Sequence, residues 1–127
     1  MQTIYKNKEK VKAIEWAENN LVGKSVYNDS LKAKIILTRQ GIKHAISARV
    51  YPNKVLVIYD LPELLRKSVL FSVQEDKKGR TEIIKVMKLS AIWNSEGKTF
   101  IVHIVVRLMS SGHIYYDHNV IKEKNLG

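Results

Sequence analysis

Histidine and arginine are the residue types in this chain best suited to chemistry. The chain carries four histidines, at positions 44, 103, 113 and 118. Imidazole titrates near neutral pH, so it can act as a base or as an acid. Arg107 lies four residues after His103, and a guanidinium can grip a phosphate through two parallel N–H groups. These types indicate acid–base chemistry on an anionic substrate.

A long β-strand would carry two of these side chains. Residues 99–109 are apolar, rich in β-branched types and alternating, which predicts a strand with two distinct faces. His103 and Arg107 share one face, about 13 Å apart, so they would flank a substrate without touching each other. Residues 110–112 predict a turn and residues 114–118 a return strand. The opposite, apolar face would be formed by Phe100, Val102, Ile104, Val106 and Leu108.

The rest of the chain supplies helices first and strands second. Residues 6–22 predict a helix that packs through Val11, Ile14 and Leu21. Residues 34–38 predict a short strand that residues 39–41 break, and residues 42–50 a second helix. Residues 54–59 fit either a helix or a strand, and a further helix would start at Asp60 as its N-cap. Strands at 68–73 and 82–93 follow. This order predicts a single α+β domain over residues 1–127, with helices packed on an antiparallel meander of about four strands.

The charge balance favours an anionic partner. The formal net charge is +10, from 22 Lys and Arg against 12 Asp and Glu, which points towards nucleic acid; a lysine-rich solvated surface is the alternative. There is no cysteine, which excludes a disulfide framework, a thiol nucleophile and a cysteine zinc site. We expect no metal, no cofactor and no membrane partner, and a cytoplasmic location, because ligand spacings, phosphate loops and long apolar runs are missing.

Four motifs together resemble a known family. Gly41-Ile42-Lys43-His44 is followed by Ser47, and residues 61–65 lead into a strand at 69–70. Two long strands with a glycine turn come next, and then Tyr116-Asp117-His118. Over residues 35–121 this order resembles a domain of large polyvalent proteins of phages and conjugative elements, found also at the ends of phage head-morphogenesis toxins. More distantly, it is similar to the barnase, EndoU, colicin and RelE-like nucleases. Residues 1–30 are expected to form only a packing helix.

The resemblance implies a ribonuclease that works without metal. A base would take the proton of the 2′-hydroxyl, an acid would protonate the leaving 5′-oxygen, and a cation would stabilise the phosphate. His44, Arg107 and His118 would carry these roles. Lys43, Ser47, His103 and Tyr116 would line the site; the family usually has Lys where His103 stands. A toxin of this kind would have an acidic antitoxin or immunity protein as its partner.

Each candidate also has a purely structural interpretation. His44 and His103 fit packed histidines, Lys43 a solvated lysine, and Ser47 a hydroxyl that bonds to the preceding helical turn. Arg107 fits a surface ion pair with Glu82 or Glu96. Tyr116 fits the edge of a core, and Asp117 with His118 fits the end of a strand. The second functional hypothesis is therefore a non-catalytic accessory module that binds nucleic acid or protein in phages or conjugative elements. The ribonuclease hypothesis requires His44, Arg107 and His118 to open into one cleft.

Overall fold

The computed structural model describes residues 2–47, 56–75 and 82–124, and their side chains except those of residues 2–10 and 44–47. These residues form three α-helices, one 3₁₀ helix and six strands. In chain order they are α1 (Gln2–Asn20), β1 (Ser25–Asn28), β2 (Ala33–Ile36), α2 (Arg39–Ser47), the 3₁₀ helix (Leu56–Asp60), α3 (Leu61–Lys67), β3 (Val69–Glu75), β4 (Ile83–Ser95), β5 (Lys98–Met109) and β6 (Ile114–Glu123).

The strands form one sheet in the order β1-β2-β6-β5-β4-β3. β3 to β6 make the predicted antiparallel meander. The β1–β2 hairpin extends it, because β2 pairs in parallel with β6 through Ile35 and Ile36. The α+β class is thus confirmed, whereas the strand number is corrected from about four to six within the described residues. Two strands of four residues carry too short an alternation to reveal a distant partner.

Strand β5 starts one residue before the predicted segment 99–109, ends where predicted, and has the two faces that the alternation predicts. Its apolar face packs in the core, where Phe100, Val102, Ile104 and Val106 are buried. We call this the inner face, because the core cluster joins it to residues of α1, the 3₁₀ helix and α3. The opposite, outer face carries His103 and Arg107, both half-buried. The return strand β6 continues past the predicted end at His118 to Glu123.

The N-terminal helix packs through part of the predicted stripe: Leu21 is buried and Ile14 packs against the core, as predicted. Ala13, Ala17 and Leu21 are buried, whereas Val11 is 53% exposed, so the prediction that Val11 faces the core is wrong. The three buried residues are spaced by four and share one helix face. Two of them are alanines, whose weak hydrophobicity hides the stripe in the sequence. No helix among the described residues is long and apolar enough to cross a membrane.

The second helix starts earlier than predicted. Thr38 caps it: its Oγ1 accepts a hydrogen bond from the Gly41 N–H at 3.1 Å, and its carbonyl accepts one from the Ile42 N–H at 3.0 Å. Residues 39–41 therefore form the first helical turn of α2, where the sequence predicted a break. A capping threonine offsets the low helix propensity of glycine at this position.

The segment left open by the sequence, residues 54–59, is a 3₁₀ helix from Leu56 onward; residues 54 and 55 lie outside the described residues. Asp60 stands at the N-cap of α3, but its side chain makes no capping hydrogen bond. The carboxylate instead accepts a hydrogen bond from Trp93 Nε1 at 2.8 Å. Asp60 therefore ties α3 to the sheet, and its predicted role as a side-chain cap is wrong.

Candidate functional site

A cleft of about 650 Å³ opens between the first turns of α2, the last residues of β5 and the first residues of β6. Its wall combines the start of a helix, two cationic side chains and one carboxylate. The lining residues are Thr38, Gln40, Gly41, Lys43, Arg107, Met109, Tyr115, Tyr116 and Asp117.

A close contact between α2 and β6 closes one side of this cleft. Gly41 is buried against the backbone of Tyr116, and a Cβ added at Gly41 would overlap the Tyr116 carbonyl oxygen. The same Cβ would come within 3.2 Å of Thr38 Oγ1. Only glycine allows this approach, which places the exposed Lys43, one half-turn further along α2, at the mouth of the cleft.

A β-bulge in β6 shapes the opposite side. Tyr116 pairs with Val106, and His118 pairs with the preceding Val105, so Asp117 is an extra residue between them. Adjacent residues of a regular strand point to opposite faces, and a bulge re-aims the side chains around it. Here it brings the Asp117 carboxylate against both its sequence neighbour His118 and Arg107 of β5.

Asp117 bridges the two catalytic candidates of the sheet. Its Oδ1 lies 3.2 Å from Arg107 Nη2, and its Oδ2 lies 2.5 Å from His118 Nδ1. The Asp117 side chain is 14% exposed, and those of Arg107 and His118 are 33% exposed. Charges in such a half-buried setting are screened less than surface charges. The carboxylate therefore fixes the orientation of the imidazole ring and holds the guanidinium at the edge of the cleft.

Tyr116 contributes to the cleft differently from the prediction that it binds substrate. It is among the largest fully buried side chains, and its hydroxyl accepts a hydrogen bond from Asn119 Nδ2 at 2.9 Å. Burial, and secondarily the nearby charge of Asp117, raise the pKa of Tyr116. Its phenol is thus a neutral core group, and its backbone is the surface on which Gly41 rests.

The structure brings together some of the sequence-predicted residues. Arg107, Lys43 and Tyr116 line one cleft. His118 is not among the lining residues; it contacts the cleft wall through Asp117. His103 is not among the lining residues; its ring packs on Phe71 of β3, with ring centroids 4.8 Å apart.

His44 and Ser47 belong to α2, but their side chains lie outside the described residues, so their predicted roles stay predictions. Arg107 does form an ion pair, with Asp117 as its partner and not with Glu82 or Glu96.

Asp117 is the site residue that sequence reasoning missed. The only available signal was its position beside a candidate histidine, because neither the bulge nor the register is visible in the sequence. Within the described residues, no three His, Asp or Glu side chains gather as a set of metal ligands.

Comparison with known proteins gives one positive result. No curated protein and no solved structure matches the chain. Residues 5–116 match the family model described as large polyvalent protein-associated domain 3. The match therefore includes most of α1, although the resemblance predicted from the sequence begins only at residue 35. Since it covers most of the sequence and reaches from α1 to Tyr116, the chain belongs to the family of large polyvalent protein-associated domain 3.

Proposed function

We propose that the chain is a basic nucleic-acid-binding domain of mobile-element origin that cleaves RNA by acid–base chemistry at the cleft. The observation that carries this proposal is Asp117 joining Arg107 to His118 at the cleft wall. A carboxylate that holds one imidazole nitrogen orients the ring for proton transfer by the other. A guanidinium beside it supplies the positive charge that a phosphodiester needs.

The reaction would need three groups. A base removes the proton of the 2′-hydroxyl, whose oxygen attacks the adjacent phosphorus to give a 2′,3′-cyclic phosphate. The P–O5′ bond breaks, and an acid gives the leaving 5′-oxygen its proton. His118 would exchange protons through Nε2, because Asp117 holds Nδ1. Arg107 would stabilise the charge on the phosphate oxygens. His44 remains the proposed second proton-transfer group.

The test is cleavage of labelled total RNA and transfer RNA by the purified protein in EDTA. We expect cleavage, and a loss of about 100-fold or more in His118→Asn and in His44→Ala, since a positioned general acid or base contributes about 10²–10⁴-fold. Asp117→Asn should lose part of the rate, because it weakens the orientation of His118. His113→Asn is the matched control: His113 is exposed in the hairpin turn, where it contacts Ser111. Activity that survives in His118→Asn would overturn the assignment.

A non-catalytic accessory module that binds nucleic acid or protein is the second candidate. It is favoured by the exposed apolar side chains of the outer face, among them Val69, Phe71 and Val120, which lie outside the cleft lining. RNA that is bound in a salt-sensitive way but never cleaved would support this candidate.

Under the ribonuclease proposal, an acidic antitoxin or immunity protein would cover Arg107 and Lys43. Inhibition of cleavage by such a partner should weaken in Lys43→Glu.

A further inference from the structure

We infer that the outer face of the sheet is a platform on which single-stranded RNA lies, with a base stacked on Phe71 and the phosphate backbone running towards Arg107. This inference rests on the proposed function and deepens it, because it names a single strand as the substrate class. Phe71 and its surroundings are not part of the cleft lining.

The strand register aligns the outer face into rows. Val69 pairs with Ser90, Ser90 with His103, and His103 with Val120, so one row crosses four strands. On one side of this row, Ile92 pairs with Ile101. Several of these side chains are open to solvent: Val69 is 60% exposed, Ile92 41% and Val120 44%. Together with the half-buried Ser90 and His103 they form a partly apolar surface beside the candidate site.

Phe71 adds an aromatic ring to this surface. It is the extra residue of a bulge in β3, between Leu70 and Ser72 in the pairing with β4. Its side chain is 51% exposed and packs at a tilt of 47° on the ring of His103. A supported but accessible aromatic ring is the feature on which single-stranded nucleic acids stack their bases.

The charges of the same face favour a polyanion. Lys88 pairs with Val105, Lys122 pairs with Ile101, and Arg107 stands further along β5. Within the described strands β3 to β6, Asp117 is the only carboxylate on the outer face. Glu123 pairs with Phe100 of the inner face, and Glu75 pairs with Lys85, which itself pairs with Leu108 of the inner face. A face with lysines, an exposed ring and so little negative charge suits RNA better than an acidic or a neutral apolar partner.

The distance between the platform and the cleft is one that a short single strand of RNA can span. His103 and Arg107 are four residues apart on β5, about 13 Å, and His118 of β6 pairs with Val105 between them. A short stretch of single strand can span this distance, with one base on the Phe71–His103 pair and a later phosphate at Arg107. A duplex would not fit this mode, because its bases are already stacked on each other.

The test is binding of a fluorescein-labelled single-stranded 2′-O-methyl oligouridylate, which cannot react through its 2′-oxygen, compared with a duplex of equal length. We expect tighter binding of the single strand, and at least about fivefold weaker binding by Phe71→Leu, from the lost stacking. Phe71→Trp should restore the affinity. Val73→Ala is the matched control: Val73 lies on the same strand and is 49% exposed, but it pairs with the inner-face residue Met87.

The outcomes separate this inference from the proposed function. Binding by the wild type that Phe71→Leu leaves unchanged would overturn the platform while the nucleic-acid function stands. Equal binding of duplex and single strand would overturn it as well. No binding of either probe by the folded wild type would overturn both, and the apolar face would then point to a protein partner.

Discussion

Gly41 decides how closely α2 approaches β6, and Gly41→Ala tests that contact. In an exposed helix this change stabilises by about 1 kcal/mol, because alanine has the higher helix propensity. Here the new Cβ would meet the carbonyl oxygen of Tyr116, a backbone atom with little freedom to move. We expect the free energy of unfolding to fall by about 1–3 kcal/mol, measured by urea denaturation. The sign alone is decisive: a stabilised variant would mean that α2 does not rest on β6 as described.

Tyr116 predicts a stability change at alkaline pH. Its pKa is raised by burial in the folded chain, whereas an unfolded tyrosine titrates near about 10. The stabilisation is fully present below that unfolded value and is lost as the pH rises above it, because only the unfolded state then releases the proton. Between pH about 9 and 11, the free energy of unfolding should fall more steeply in the wild type than in Tyr116→Phe. Parallel pH curves for the two proteins, from thermal or urea unfolding, would contradict the burial of the phenol.

The roles of single residues were predictable only where they depend on strand alternation. A period of two placed His103 and Arg107 on the face opposite Phe100 and Val102, as found. The same rule puts neighbouring residues on opposite faces, so it gave no reason to join Asp117 to His118. That contact requires the bulge at Asp117, which follows from the register between β5 and β6. The sequence therefore indicated the candidate groups but not the carboxylate that connects them.

At the scale of elements, Asn28 fastens the end of β1 to the end of α3. Asn28 is fully buried. Its Nδ2 donates to the carbonyl oxygens of Leu65, at 2.6 Å, and Ser68, at 2.9 Å, and its Oδ1 accepts from the Leu31 N–H at 2.7 Å. One amide thus satisfies backbone groups of two distant segments, at the point where α3 turns into β3.

Asn28→Ala should therefore be strongly destabilising. It removes one hydrogen bond each from the Leu65 and Ser68 carbonyls and from the Leu31 N–H, of which the Leu65 carbonyl keeps a bond from Ser68 Oγ. Each buried polar group left unsatisfied costs about 1–3 kcal/mol. We expect a total loss of about 2–4 kcal/mol after local relaxation, measured by thermal or urea denaturation. Asn20→Ala is the matched control, because its Nδ2 also donates to a backbone carbonyl, that of Trp16, but in an exposed position. If the free energy of unfolding fell no more in Asn28→Ala than in Asn20→Ala, the Asn28 amide would not stabilise the contact between β1 and α3.

The elements were predictable in proportion to their length and regularity. The bounds of β5 were predicted to within one residue, because residues 99–109 alternate and a glycine turn follows. The start of α2 was placed too late, because Gly41 reads as a breaker unless the cap of Thr38 is known. In α1, the packing of Ile14 and Leu21 was predicted, but Val11 was wrongly assigned to the core because Ala13 and Ala17 contribute little apolar signal. Capping and close packing depend on neighbours in space, which local sequence does not contain.

At the scale of the whole molecule, the order of the strands was the least predictable feature. The meander from β3 to β6 follows chain order, since each strand pairs with the next. The parallel pairing of β2 with β6 joins residues 35–36 to residues 114–115 across most of the chain. No local pattern specifies such a contact, although it joins the β1–β2 hairpin to β6, the strand that α2 contacts beside the cleft.

The net charge of +10 leads to a prediction about where that charge acts. Only protein cations that bind close to a phosphate displace counterions from the nucleic acid. Exposed charges further apart than about 8 Å are screened at physiological salt. The binding of the single-stranded oligouridylate should therefore depend on the lysines of the outer face and not on the total charge. Lys88 and Lys122 lie on that face, whereas Lys12 is exposed on α1, on the helical side of the molecule.

We expect Lys88→Gln and Lys122→Gln each to reduce the slope of log K against log salt by about 0.7, the value for one phosphate contact on a single strand. Lys12→Gln should leave the slope unchanged, although all three substitutions remove the same charge. The measurement is fluorescence anisotropy over a series of salt concentrations at constant pH. Equal slopes in the three variants would mean that the lysine excess acts as a diffuse positive field over the whole surface. The outer face would then not be the surface that binds the RNA phosphates.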